Sequence, residues 1–398
     1  MRITIEHERG TDLAGMRREN LHRVLDVVRR YPGSSQNDVS ARTGLAVGAI
    51  SSLVNELRDA GLLVEAVSAP SGSRGRPKRA VDLADDAVAV VGVTLTRSRL
   101  SARAATLRGR VLGEAAREFA RPLTPAQAAE ALPQVVDAAI GAEPVDRRGP
   151  RIVIAVPGGL RADRIGGAEI EWDGVDPVML TTPFVQRGWP APLIGNDGSL
   201  AAFAEARSGA AAGHRNAVVL FLGRGLGGSA IVDGALIRGA TAAPGFGHTP
   251  LDPSGDACIC GLRGCAELSA SLLHVAQLLG ETPELEHVGP SAYVDTLAVR
   301  ARAGDPAVRG TLAGAADTLA RLGDVIVALL NPELVVLTGP GAALAPWVLP
   351  DHVGSTVVPT VAGTFGADVV LVGALAAAQE VELGDPLRST ELTQTEWV

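Results

Sequence analysis

Four side chains that commonly bind metal ions lie close together in the second half of this chain. His248 precedes Cys258 by ten positions, and Cys260 and Cys265 follow in the spacing C-x-C-x₄-C, which accounts for all 3 cysteines. Three thiolates and one imidazole fill the tetrahedral shell of Zn²⁺ and leave no position for a catalytic water. An odd, tight cluster is less typical of a disulfide framework, and a redox cluster of free thiols is the alternative. The spacing therefore predicts a structural zinc site.

A compact run of basic side chains lies in the segment SGSRGRPKRA, residues 71–80. The chain carries a formal charge of −8, whereas residues 1–82 contain 13 Arg and Lys against 10 Asp and Glu. A basic N-terminal unit on an acidic body is typical of a module that binds a polyanion. The tetrapeptide RGRP is similar to the core of the AT-hook, whose arginines enter narrow minor grooves; the alternative is a solvated linker. The cationic side chains of this segment are Arg74, Arg76, Lys78 and Arg79.

The residues before this run have the pattern of a winged helix-turn-helix. Apolar residues at helical spacing predict a helix over 16–30, then a short helix that ends at Gly44. A second helix is predicted over 47–60, and a strand begins near Leu62. This order places the second helix in the major groove of DNA and makes 65–80 the wing. A helical hairpin that serves only dimerisation is the alternative.

The predicted recognition helix has an unusual outward face, because that face contains no Arg, Lys or Gln. Bidentate contacts to guanine are therefore not expected from it. Asn55 suits adenine, and Ser51 or Ser52 suits a base edge or a phosphate. We therefore expect the basic wing to supply most of the affinity for DNA.

The rest of the chain predicts an α/β body. Short strands in 87–119 and 216–239 each begin a cycle of strands and helices, and strand–turn–helix units are predicted at 333–341 and 368–378. Two such cycles indicate two similar lobes around a cleft. The domains predicted are 1–82 for DNA binding, 83–197 with 372–398 for the first lobe, and 198–371 for the second.

Two consecutive segments make a resemblance to a known family specific. GRGLGGSAIVDGALIRGA (223–240) and GHTPLDPSGDACICGLRGCAE (247–267) resemble the ROK family of sugar kinases and repressors. The preceding winged helix resembles its transcriptional-repressor branch. The resemblance implies actin-like, ribonuclease-H-like lobes of the sugar kinase fold. It also implies that the zinc ion braces a sugar pocket close to His248.

The resemblance implies a set of sugar ligands as well. Asn196 and Asp197 match an Asn-Asp pair at the sugar, in which the Asp of the kinases is the general base. A turn that caps the following helix is the alternative for this pair. The other residues that match family sugar ligands are Gly158, Gly159, His248 and Glu267.

Two departures from the family pattern concern chemistry. Gly245 stands where E-x-G-H would supply a sugar-binding carboxylate. Thr94 and Thr96 replace the Asp and Gly of the D-x-G-x-T motif that serves Mg²⁺ and phosphate, whereas the Gly-rich segment 223–228 is largely kept. We therefore expect that no residue of this chain is catalytic and that Asp197 is a vestige of the kinase base.

These observations predict a sugar-responsive transcriptional regulator, with repression as the expected mode. It would bind double-stranded operator DNA as a homodimer or homotetramer, and a small sugar or sugar derivative would be its effector. The alternatives are an ATP-dependent sugar kinase with an appended DNA-binding domain and a repressor with a vestigial pocket. The charged N-terminus and the absence of a run of ~18 apolar residues lead us to expect a cytoplasmic protein without membrane contact.

Overall fold

The computed structural model describes residues 13–67, 79–85, 89–146, 148–161, 164–167, 172–237, 239–241, 243–350, 352–354 and 358–384. Within these residues the α-helices are α1 (Leu13–Arg30), α2 (Gln36–Thr43), α3 (Val47–Asp59), α4 (Pro125–Ile140), α5 (Val178–Val185), α6 (Asp197–Ser208), α7 (Glu267–Ala270), α8 (Leu272–Leu279), α9 (Thr282–Ala303), α10 (Pro306–Leu330), α11 (Ala345–Val348) and α12 (Val369–Gly384). None of the helices formed by these residues combines the length and apolar character needed to cross a bilayer.

The strands are β1 (Ser34–Ser35), β2 (Leu63–Val67), β3 (Arg79–Leu83), β4 (Val90–Leu95), β5 (Arg99–Ala105), β6 (Val111–Glu118), β7 (Arg151–Val156), β8 (Gly159–Arg161), β9 (Arg164–Gly167), β10 (Trp172–Val175), β11 (Leu193–Asn196), β12 (Ala217–Leu222), β13 (Leu226–Val232), β14 (Ala235–Leu236), β15 (Leu334–Thr338), β16 (His352–Val353) and β17 (Val358–Ala362). Three short 3₁₀ turns, Phe246–His248, Pro340–Leu344 and Gly366–Asp368, also lie within the described residues.

The N-terminal head has the predicted helix-turn-helix order. Ser35 and Asp38 cap α2 reciprocally, since each side chain accepts the backbone N–H of the other, at 3.0 and 3.3 Å. Gly44 then takes a left-handed φ of 74° and ends the helix. Antiparallel pairing joins β2 to β3, and β1 adds a third strand that the sequence did not predict. The predicted apolar faces of α1 and α3 are buried: Leu21, Val24, Leu25, Val28, Ile50, Leu53, Val54 and Leu57.

Two lobes follow, and their sheets have the same topology, as predicted. In the first lobe β4, β5 and β6 form an antiparallel meander, and β7 and then β11 add in parallel beside β4. In the second lobe β12, β13 and β14 form the meander, and β15 and then β17 add in parallel beside β12. The five strands named have the order 3-2-1-4-5 in both lobes, and the second sheet adds β16 antiparallel at the edge beside β17. The boundary predicted at 197/198 falls in the first turn of α6 and stays a prediction.

The prediction of a strand at the start of 368–378 is wrong. This segment belongs to α12, and the strand of that unit is β17. An apolar run that is buried on every side has no amphipathic period, so periodicity cannot separate a helix from a buried strand. Here α12 packs against α6 on one side and against β4 and β7 on the other.

The contact between α6 and α12 is close enough to require glycine. A Cβ atom at Gly373 would lie 2.0 Å from the carbonyl oxygen of Leu200 on α6. On its opposite side α12 approaches β4 as closely, because a Cβ at Gly92 would lie 2.5 Å from the backbone nitrogen of Leu375. Backbone on both sides leaves α12 little freedom to move away.

Replacing Gly373 with Ala should destabilise the protein by ~3 kcal/mol or more, because backbone atoms would have to separate to admit the methyl group. Chemical denaturation followed by circular dichroism measures the change. The matched control is Gly310→Ala, an exposed α10 position with no atom within 4 Å of its added Cβ. That control should stabilise by about 0.5–1 kcal/mol. An unchanged unfolding midpoint for Gly373→Ala would contradict the close packing.

Candidate functional site

The four predicted metal ligands converge in one cluster. The ligand atoms of His248, Cys258, Cys260 and Cys265 all lie within 4.8 Å of one another. Cys258 Sγ is 3.5 Å from His248 Nδ1, and Cys260 Sγ is 3.6 Å from Cys265 Sγ. Bonds of about 2.3 Å to sulfur and about 2.0 Å to nitrogen give a zinc tetrahedron edges of roughly 3.5–3.8 Å. The cluster could therefore hold a metal ion, and its distances fit Zn²⁺.

The protonation of this cluster depends on its surroundings. Burial raises the pKa of Cys265 to about 12, and hydrogen bonds that its thiol donates to Cys260 and Cys258 add to the rise. Burial acts to raise the pKa of Cys260 too, but hydrogen bonds from the Leu262 backbone and the other two thiols lower it overall. Burial lowers the pKa of His248, which favours the neutral imidazole that binds metals. A metal ion must therefore displace the Cys265 proton.

Asn196 lies at the junction of the lobes, and its side chain has two structural tasks. Its Oδ1 accepts the backbone N–H of Ser199 at 3.0 Å and so caps α6. Its Nδ2 donates to the carbonyl oxygen of Gly158 at 2.9 Å. A helix cap is the alternative role of the Asn-Asp pair, and Asn196 does cap α6. It also fixes the predicted pocket turn, where Gly158 has a φ of 85°.

Asp197 follows as the first residue of α6 and is half-buried. Its Oδ1 accepts the backbone N–H of Gly198 at 2.7 Å. The helix N-terminus stabilises the ionised carboxylate at this position. Gly198 lies directly against the start of β13, because its added Cβ would come 2.8 Å from the Gly228 nitrogen. The predicted base therefore lies beside the Gly-rich turn of the second lobe.

Glu267 and His248 lie close to each other, next to the first residues of β13. Glu267 Oε2 is 3.7 Å from His248 Nδ1. A Cβ at Gly247 would lie 2.0 Å from the carbonyl oxygen of Leu226 in β13 and 3.3 Å from Glu267 Oε2. The first residues of β13 thus contact both the end of α6 that carries Asp197 and the segment next to Glu267 and His248. The remaining predicted ligand, Gly159, begins β8 and is exposed.

Gly245, which departs from the family pattern beside the candidate metal cluster, does not need to be glycine. Its φ of −83° and ψ of 56° lie near the inverse γ-turn, which L-residues adopt. An added Cβ would fit, because the nearest atoms to it are Cβ and Cδ2 of His248, both at 3.8 Å. The absence of a carboxylate here is therefore a property of the sequence and is not imposed by the fold.

The segment that corresponds to the first phosphate-binding motif of the kinases, which contains Thr94 and Thr96, also departs from the kinase pattern. Thr94 is the fifth residue of β4, where it pairs with Ser101 and Ala155. Thr96 is exposed and bonds to the carbonyl oxygen of Arg99 through both its N–H, at 2.9 Å, and its hydroxyl, at 3.1 Å. The hydroxyl groups provide no carboxylate for Mg²⁺.

The predicted DNA-binding residues divide between α3 and the wing. On α3, Ser52 and Asn55 are exposed and Ser51 is half-buried. The wing strands β2 and β3 are formed, and Arg79 begins β3 opposite Val67. The other wing residues, Arg74, Arg76 and Lys78, lie outside the described residues.

Sequence reasoning missed Glu205, which joins α6 to the second lobe. Its buried carboxylate accepts the Thr338 hydroxyl at 2.7 Å and the N–H groups of Thr364 at 2.9 Å and Ala210 at 2.8 Å. These partners satisfy a charge that would otherwise be costly to bury. The feature of the sequence that could have indicated Glu205 is a Glu inside the Ala-rich run LAAFAEA. Its partners Thr338 and Thr364 lie 133 and 159 positions away, so the pattern could not name them.

We expect chelator-stripped protein to rebind one Zn²⁺ per chain, with an affinity that rises with pH. The reason is the raised pKa of Cys265, whose thiol carries a proton at neutral pH that the metal must displace. Calorimetric titration in buffers of different ionisation enthalpy measures the protons released. Cys265→Ala should abolish tight binding, whereas His287→Ala, at an exposed histidine outside the cluster, should not. Binding without proton release would contradict this assignment.

Comparison with known proteins agrees with this architecture. A model of the ROK family matches residues 91–383, and a model of the MarR family matches residues 20–75. The DNA-binding transcriptional repressor Mlc of Escherichia coli (strain K12) is 25% identical over 341 residues, which are 84% of this chain and 84% of Mlc.

Two solved structures show the same fold. A ROK family transcriptional regulator, described as a homolog of the E. coli Mlc protein, superposes with a TM-score of 0.72 and 23% identity over 96% of this chain and 99% of its own. A ROK family glucokinase from Streptomyces griseus, in complex with glucose and AMPPNP, superposes with a TM-score of 0.58 and 24% identity over 73% of this chain and 99% of its own. The predicted fold class is therefore confirmed: this chain belongs to the ROK family and carries a MarR-type winged helix domain before its sugar-kinase-like body.

Proposed function

We propose that this protein is a DNA-binding transcriptional repressor whose operator affinity changes when a small sugar or sugar derivative binds between its lobes. The observation that carries the proposal is the head itself, whose described residues form the helix-turn-helix and the two wing strands and leave a face of α3 exposed. Its relatives include a transcriptional repressor that spans most of the chain. A head of this kind reads DNA in pairs, so the working form is a homodimer or homotetramer on a partly palindromic operator.

On DNA, α3 enters the major groove and the wing contacts the backbone or minor groove. Ser51, Ser52 and Asn55 are the candidates for base contacts. The exposed face of α3 carries one cation, Arg58, and it is paired with Glu65 at 3.2 Å. The wing arginines therefore supply most of the electrostatic part of binding.

The effector site that we propose lies where Asp197, Glu267 and His248 surround the start of β13. Carboxylate and imidazole groups bind vicinal hydroxyls directionally, which suits a polyol. Zn²⁺ bound by His248, Cys258, Cys260 and Cys265 would be structural and would hold the loop that carries Glu267. No metal-bound water is required, since all four positions are filled by the protein.

A change at this site reaches the head through packed backbone. The α6 helix, which begins at the effector site, lies against α12 at Gly373. The C-terminal end of α12 contacts α1, where the carbonyl oxygen of Leu383 is 2.9 Å from His22 Nδ1. The β5–β6 turn supports the same side, because Arg108 donates to the carbonyl oxygen of Arg29 at 2.8 Å. The head therefore moves with α12 and the first lobe, and closure of the lobes changes the spacing of paired heads.

Replacing both Arg74 and Arg76 with Ala should weaken operator binding and make its salt dependence less steep by about 2 in log–log slope. Fluorescence anisotropy at several salt concentrations measures both quantities. The matched control is Arg121→Ala with Arg215→Ala, which removes the same charge from the body. Unchanged affinity in the wing variant would contradict the wing assignment.

Restoring a carboxylate with Gly245→Glu should tighten the binding of a hexose or amino sugar by about tenfold, as expected for one added charged hydrogen bond. Isothermal titration across a sugar panel measures the change. Gly239→Glu is the control, because its added Cβ has no atom within 4 Å and it adds the same charge outside the E-x-G-H position. Sugar binding by neither wild type nor Gly245→Glu would favour a repressor with a vestigial pocket.

A coupled ADP-release assay separates the proposal from the rival enzyme function. Asp197 favours a sugar kinase, whereas Thr94 in place of an Asp opposes it, since the Mg²⁺–phosphate ligand is lost. We expect no turnover with any hexose or amino sugar. Turnover that Asp197→Asn abolishes would establish the kinase instead.

A further inference from the structure

Two arginines from different lobes share one carboxylate. Arg97 lies in the turn between β4 and β5 of the first lobe, and Arg224 lies in the turn between β12 and β13 of the second. Glu286 on α9 lies between them. Arg97 Nε is 3.2 Å from Glu286 Oε2, while Arg224 Nε donates to Glu286 Oε1 at 3.0 Å. Each carboxylate oxygen therefore faces a guanidinium from a different lobe.

The backbones that carry these three side chains are held in place. The carbonyl oxygen of Arg97 accepts the Leu123 N–H at 2.8 Å, and that of Arg224 accepts the Leu273 N–H at 3.0 Å. The residue before the carboxylate, Leu285, is only 1% exposed in the core of the second lobe. The cluster is thus preorganised, and little backbone entropy is lost in forming it.

The three side chains are also shielded from solvent. Exposed fractions are 22% for Arg97, 32% for Glu286 and 18% for Arg224. An ordinary surface pair such as Arg99–Glu118 has exposed fractions of 51% and 75%. Shielding makes an ion pair stronger than a fully solvated one and less sensitive to salt.

We infer that Arg97 and Glu286 form an interlobe latch that holds the two lobes in one orientation without a nucleotide, while Arg224 bonds to the same carboxylate from within the second lobe. The two turns are those that the kinase pattern assigns to phosphate binding. In this chain Glu286 supplies the anion that both turns contact, so the protein carries its own substitute for the phosphate. The inference rests on the proposed function, because it sets the lobe orientation against which an effector must act.

The distance between the lobes tests the latch directly. Nitroxide labels are attached to genetically encoded, thiol-independent groups at exposed positions Ala126 on α4 and Asp317 on α10, which leaves the cysteines untouched. Double electron–electron resonance on full-length protein, with labelled chains diluted by unlabelled ones, then reports the distance within one chain. Wild type should give one narrow distribution.

Three variants separate the interlobe contact from charge in general. Glu286→Gln leaves two guanidinium groups facing each other and should shift and broaden the distribution. Arg97→Gln breaks only the interlobe contact and should also broaden it. Arg224→Gln removes a pair within the second lobe and should leave the distribution near that of wild type, as should the control Glu118→Gln.

Two results would overturn the latch. One is superposition of the Glu286→Gln and Arg97→Gln distributions on that of wild type. The other is equal broadening in Arg97→Gln and Arg224→Gln, since loss of charge alone would then loosen the protein. The measurement uses neither DNA nor sugar. A failed operator or sugar-binding experiment therefore leaves the latch standing, and a failed latch leaves the proposed function standing.

Discussion

The packing of α12 between α6 and the first sheet is the constraint on which the rest of the structure depends. Gly373 meets the backbone of α6, and Gly92 meets the backbone of α12. Since neither contact admits a side chain, these three elements pack backbone against backbone. One end of this block carries Asp197, and its other end contacts the head through His22 and Leu383. The head is therefore in direct contact with the sugar-kinase-like body.

Carboxylates join parts of the chain that are distant in sequence. Glu205 fixes α6 to the second lobe through four hydrogen bonds from Thr338, Thr364 and Ala210. Glu286 joins the second lobe to the first through Arg97, and Arg224 bonds to the same carboxylate from within the second lobe. The first carboxylate is fully buried and holds the end of α6 against Thr338 and Thr364. The second is partly solvated and spans the cleft, where an equilibrium between lobe orientations can be adjusted.

Much of the architecture was predictable because local patterns carry it. The buried faces of α1 and α3 follow helical spacing, and the break at Gly44 follows from its left-handed backbone. The strand predicted at 368–378 failed for a physical reason, since a helix buried on all sides loses its amphipathic signal. The small sheet of β8, β9 and β10 and the strand β1 were missed because pairing partners, rather than local propensity, define such short strands.

The sequence by itself determined the candidate metal-binding cluster, the helix-turn-helix and the repeated lobe pattern. Each depends on residue types at short spacing, and His248 with its three cysteines spans only one loop. Only the tertiary structure decided that Asn196 caps a helix while fixing Gly158, and that Arg97 and Arg224 meet at Glu286. Those contacts join residues up to 189 positions apart. No local pattern encodes them, because the meeting point is set by how two folded lobes pack against each other.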